Sequence, residues 1–154
     1  MELASDCDKV FGIIDFDVIM VETRVAKKGV KTPLQEFKEL YTEITKYENV
    51  TVIINNPCFE YWLLLHFEET SKYYDSYDKL LKPLKKYLPD YEKTQKYYKN
   101  QSKDIYSRLK PNLKQAISNA NKSGKFNFDN TQTGMSEMQK FFNEADIKEN
   151  IELK

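Results

Sequence analysis

The chain has 154 residues and a mass of 18.3 kDa, with 40% hydrophobic and 31% charged residues and a formal net charge of zero. This is enough for one domain with a real core, and it excludes wholesale disorder. The neutral total hides a segregation: residues 1–78 carry 8 Lys/Arg against 15 Asp/Glu, and residues 79–125 carry 13 against 3.

Met1 to Asp6 has no basic or apolar region of the kind a signal peptide needs, and no apolar run approaches the roughly 18 residues of a membrane span. A soluble cytoplasmic protein with no membrane association is expected. Lys9 to Asp17 reads as a buried strand, a short run rich in Val, Ile and Phe that ends in carboxylates. Val18 to Val25 is apolar but broken by Glu22 and Arg24, and its state is ambiguous. Lys27 to Lys31 is a loop. Thr32 and Pro33 suit the N-cap and first position of an amphipathic helix over 33–46. Val50 to Ile54 is a second buried strand. Asn56 is expected to cap the following helix, with Pro57 at its first position, and Cys58 to Phe67 is apolar on almost every side.

Beyond residue 71 the pattern is helical. One helix is expected over Asp75 to Tyr87, interrupted at Pro83, then one or two over Tyr98 to Ser123 with a break at Pro111. A polar loop follows over Gly124 to Thr133, and a last helix over Gly134 to Asp146. The expected architecture is α/β, a partial parallel sheet followed by a mainly helical C-terminal region, divided at about residue 72 (1–72 and 73–154). Two strands alone leave a parallel sheet incomplete, so an exposed apolar patch is expected near Val10, Ile13 and Val52.

Two cysteines and one histidine, His66, cannot build a zinc cage or a disulfide framework, and His66 lies inside the apolar run. Metal or acid–base work therefore falls to carboxylates. Asp15 and Asp17 lie two apart at a strand's C-terminal end, where strand geometry would put both on one face. Glu60 opens the apolar helix after the second strand. If the strands are parallel neighbours, all three carboxylates emerge at one edge and could hold Mg²⁺ or Mn²⁺, with Asn56 nearby. The basic, tyrosine-rich middle carries Lys82, Lys85, Lys86, Lys93, Lys96, Lys99 and Arg108, a composition suited to phosphate backbones and base stacking or to a solvated helical face.

The run Asn55-Asn-Pro-Cys-Phe-Glu-Tyr-Trp-Leu-Leu-Leu-His-Phe67 resembles the signature of the RloB-like family of bacterial proteins linked to restriction and abortive infection. The Asp-x-Asp strand end at Asp15–Asp17, the connector Pro89-Asp-Tyr-Glu-Lys93, the helix around Gln115 to Asn121 and the stretch Thr131 to Phe142 extend the likeness over nearly the whole chain. The resemblance implies a Toprim-like α/β fold and a Mg²⁺-dependent nuclease role in phage defence, with an ABC-type or AAA-type ATPase as partner in some systems. On this resemblance Asp15, Asp17 and Glu60 are the catalytic and metal-binding set. Two features depart from the pattern. No strand with a Glu-Gly-x-x-Glu-like turn precedes the Asp-x-Asp strand, and Phe16 stands where a basic residue is common. The likeness is thus to a member without the glutamate-bearing unit, with little or no nuclease activity expected. The alternative reading is a non-catalytic module that binds nucleic acid or an ATPase.

Overall fold

A computed structural model describes residues 6–100 and 102–151. The α/β class holds. Strand β1 (Val10–Asp15) pairs in parallel with β2 (Val50–Asn56), in a register that runs from Val10 opposite Val50 to Asp15 opposite Asn55. Helices α1 (Asp17–Val25) and α2 (Pro33–Ile44) form the crossover between them. The ambiguous segment after Asp17 is therefore helical. As expected, α2 opens at Thr32, whose hydroxyl accepts the Gln35 N–H while the Gln35 side chain accepts the Thr32 N–H, and Pro33 follows the cap.

Alternation along β2 sorts the core into two layers. Val52 and Ile54 face Phe16, Ile19, Leu34, Phe37 and Tyr41 of the crossover. Ile53 faces the larger cluster built on α3 (Glu60–Leu65), every residue of which is buried. The C-terminal region wraps this helix. It comprises α4 (Tyr77–Leu84), α5 (Gln95–Tyr98), α6 (Ile105–Leu109), a 3-10 turn at Lys110–Asn112 that carries the expected break at Pro111, and α7 (Leu113–Ser123). Pro83 falls inside the last turn of α4. From α7, buried Asn119 donates to the Leu65 carbonyl at 2.9 Å and so satisfies the C-terminal end of α3.

Three expectations are corrected. Residues 134–146 do not form one helix. Met135–Ser136 is a third strand, β3, antiparallel to Asn55–Asn56, and only then follow α8 (Gln139–Phe142) and α9 (Ala145–Asn150). The apolar spacing in this segment is real, but the polar end of β2 needs a ladder partner. Ser136 Oγ donates to Asn55 Oδ1 at 2.6 Å, and the Glu137 carboxylate accepts the N–H groups of Ile54 (3.2 Å) and Phe126 (3.1 Å). Gly134 makes the approach possible, because a Cβ there would lie 2.1 Å from the Lys72 carbonyl oxygen.

Asn56 is not a helix cap. It ends β2 before a cis Asn56–Pro57 peptide, and its amide donates to the carbonyls of Thr131 and Thr133 at 2.8 and 2.9 Å. The following helix starts later, at Glu60, with Phe59 in front of it. Val52 is not part of an exposed patch, since α2 covers it to 6% exposure. Ile13 on β1, an edge strand, is exposed as expected, and the open apolar surface continues at Val18, Val21 and Val25 along α1.

Candidate functional site

The parallel pairing brings the C-terminal ends of β1 and β2 to one side. Strand geometry stops at Asp15, because Phe16 is right-handed helical (φ −90°, ψ −12°) and fully buried. The N–H groups of Phe16 and Asp17 both donate to the Pro57 carbonyl at 2.8 Å. Asp17 is thus the first residue of α1, and it does not share a strand face with Asp15. Its carboxylate accepts the Val18 N–H at 2.8 Å, at a helix N-terminus that favours an anion. Asp15 turns toward the start of α3. Burial raises its pKa, the Lys93 ammonium opposes that shift, Glu60 and Asp17 reinforce it, and the Phe59 N–H bonds the charged form. The three predicted carboxylates therefore interact electrostatically around the first turn of α3.

Glu60 is the centre of this group and is fully buried. Its Oε1 accepts the Tyr91 hydroxyl at 2.8 Å and lies 3.2 Å from Lys93 Nζ, which is 3.5 Å from Oε2. The Cys58 thiol and the Glu60 N–H also donate to it. Burial alone would push the carboxyl up. The hydrogen bonds from Cys58, Tyr91 and the backbone, with the Lys93 charge, outweigh it and hold Glu60 below its ordinary pKa. The same carboxylate and burial push the Cys58 thiol up, so it is a proton donor and not a thiolate. Tyr91 passes the chain of hydroxyls on to Tyr98 at 2.7 Å, and Lys93 lies over the Tyr77 ring at 5.3 Å.

These donors decide whether a divalent cation fits. A ligating carboxylate must offer a free lone pair at about 2.1 Å for Mg²⁺. Glu60 Oε1 is engaged by a hydroxyl and an ammonium, and Oε2 lies 3.5 Å from the same ammonium, whose charge would repel a second cation beside it. Among the described residues no group of three or more His, Cys, Asp or Glu is arranged to hold a metal ion. As arranged, Lys93 neutralises Glu60, the role expected of Mg²⁺ or Mn²⁺. Asn56 points its amide at the loop 131–133, and its Oδ1, like Asn55 Nδ2, is buried without a hydrogen-bond partner.

The basic candidates divide. Lys93 belongs to the carboxylate site. Arg108 forms a two-pronged pair with Asp90 (2.8 Å on each side) and bonds the Tyr97 hydroxyl, so it pins the connector to α6. Lys82, Lys85, Lys86, Lys96 and Lys99 are exposed and make no ion pair among the described residues. Sequence reasoning missed Tyr91 and Cys58 as partners of Glu60. The signal available was the Pro89-to-Lys93 connector, whose tyrosine and lysine both converge on that carboxylate.

No curated protein and no solved structure matches the chain. A family model does match, and it spans residues 2–144, taking in the carboxylate site, the connector and β3 alike. With that match over most of its length, the chain belongs to the family of RloB-like proteins.

Proposed function

We propose that this RloB-like protein is a nucleic-acid-binding module, serving the phage-defence role that the family resemblance implies. The observation that carries this reading is the set of exposed lysines at 82, 85, 86, 96 and 99. They have no acidic partner among the described residues, although the chain as a whole has as many carboxylates as cations. Surface lysines without partners add nothing to stability and repel one another. They suit a polyanion that releases its counterions on binding. The Glu60–Lys93 pair supports binding over Mg²⁺-assisted hydrolysis, because the ammonium already neutralises Glu60 and would repel a second cation beside it. An ATPase partner belongs to the same proposal and would act through a separate surface.

Fluorescence polarisation with labelled single-stranded DNA, duplex DNA and RNA tests it. Binding is expected at 50 mM salt, weakening with a log–log salt slope of about −4 if five phosphates are contacted. Reversal of Lys82, Lys85 and Lys86 to Glu should abolish it. Absence of binding at low salt, or binding indifferent to the reversal, refutes the reading.

A further inference from the structure

A cavity beside the carboxylate group, which shares Tyr98 with the chain of hydroxyls from Glu60, opens between α3, α6 and α8. Its volume is about 220 Å³. That is below the roughly 300–1,000 Å³ of a drug-sized site, so it suits one ring system. Aliphatic side chains, among them Leu63, Leu109 and Leu113, share the walls with aromatic ones. Trp62 stacks on Phe142 (5.4 Å between centroids, 20° between planes), and Tyr98 and Tyr106 also line the space. His66 supplies a directional polar atom. Its Nδ1 lies 2.9 Å from the Trp62 carbonyl oxygen, which can only accept, so Nδ1 carries the proton and Nε2 the lone pair. Nε2 has no hydrogen-bond partner among the described residues. Burial lowers the imidazole pKa to about 4, so this acceptor stays neutral at pH 7. At the rim, Lys110 lies over the Tyr106 ring at 5.6 Å and has no acidic partner among the described residues.

An apolar cavity with aromatic rings in its wall, a buried imidazole acceptor and a cation at the mouth match the three parts of a nucleotide: ring face, amino or ring N–H edge, and phosphate. We propose that this cavity receives one unstacked nucleobase, with its face against Trp62, Tyr106 and Phe142, an N–H donated to His66 Nε2, and its phosphate beside Lys110. The proposal deepens the nucleic-acid reading and gives it a base-binding pocket in addition to the lysines that meet the backbone.

Trp62 is the chain's single tryptophan and reports on the cavity directly. Adenosine, which carries no phosphate, should quench its emission with saturation in the millimolar range. Tyr106 is 52% exposed, so Tyr106→Ala should keep the wild-type thermal midpoint while weakening this quenching about tenfold. Ile105→Phe, which fills the cavity from the rim, should remove it. Quenching that does not saturate, or that both variants retain, overturns the pocket. A 12-nucleotide single strand should bind about tenfold more tightly than an abasic strand with the same phosphates. Equal binding of the two strands with silent Trp62 overturns the pocket and leaves the nucleic-acid reading standing. Saturable adenosine quenching with no strand bound supports the pocket and refutes that reading.

Discussion

His66 should make this protein lose stability in mild acid, by an amount the structure sets. The imidazole is enclosed by α3 and the aromatic cavity, and burial lowers its pKa from 6.5 to about 4 against the opposing pull of the Trp62 and Leu63 carbonyls. Below pH 6.5 the unfolded chain takes up a proton that the folded chain refuses. Stability therefore falls as pH drops from 6.5 toward 4, and the full loss is reached below that. The whole difference corresponds to about 3 kcal/mol, of which about 2 kcal/mol is lost by pH 5. Urea unfolding followed by circular dichroism at pH 7.5 and pH 5.0 should show it, with His66→Gln as the reference. Asp15, whose raised pKa acts in the opposite sense, and Glu60, whose lowered pKa destabilises only in stronger acid, are common to both proteins and cancel in the comparison. The wild type should lose about 2 kcal/mol more than the variant between the two pH values. Parallel losses would mean that His66 is protonated in the folded protein and that its Nε2 is not the free acceptor described above.

Lys93→Met should cost about 1–2 kcal/mol, less than the 3–5 kcal/mol of a fully buried pair, because Lys93 is half exposed and Glu60 keeps its other donors. Adding Glu60→Gln should recover most of that loss in a double-mutant cycle followed by urea unfolding, and an additive double mutant would deny the pairing. Gly134→Ala forces a methyl group onto the Lys72 carbonyl and the Tyr61 ring, and should lower stability by about 1–3 kcal/mol in thermal melts, whereas an unchanged midpoint would mean the β3 approach is wrong. The open apolar surface of β1 and α1, with Ile13, Val18 and Val21 about half exposed, should make the protein associate as its concentration rises. Val21→Glu should reduce this in sedimentation velocity, and a wild type that sediments identically at all concentrations refutes the expectation.

Much of this fold was legible because local chemistry and tertiary demand agree. Thr32-Pro33 announces α2, and the continuous apolar runs at 10–14 and 50–54 announce parallel strands, because both carry their own signals. The segment after Asp17 was not legible, since Glu22 and Arg24 interrupt a stripe that packs on one side only and leaves Val18, Val21 and Val25 open. Residues 134–146 misled because Met135, Met138, Phe141 and Phe142 fit a helical period, while the element is decided at a distance, by the unpaired end of β2 and the carboxylate of Glu137. In the candidate site the three carboxylates could be named from the sequence. What neutralises them could not, because Tyr91 and Lys93 lie about thirty residues downstream of Glu60 in a connector with no periodicity of its own.

The segregation of charge links the fold to its proposed role. An acidic head and a basic middle in one chain would be expected to neutralise each other on folding, and among the described residues they do so at three points: Lys79 meets Asp75, Lys93 meets Glu60, and Lys122 meets Glu69. Arg108 is matched within the middle itself, to Asp90. The lysines at 82, 85, 86, 96 and 99 are left over, and the head's surplus of carboxylates does not turn to meet them. Exposed pairs are worth at most about 1 kcal/mol each, so closing them would stabilise the fold little, while leaving them open keeps a local positive field on a protein of zero net charge. A field of that kind acts on a charged partner approaching one face. The same segment delivers Tyr98, and its continuation delivers Tyr106 and Lys110, to the aromatic cavity. The backbone-facing lysines and the base-sized slot are thus two parts of one stretch of chain folded over α3.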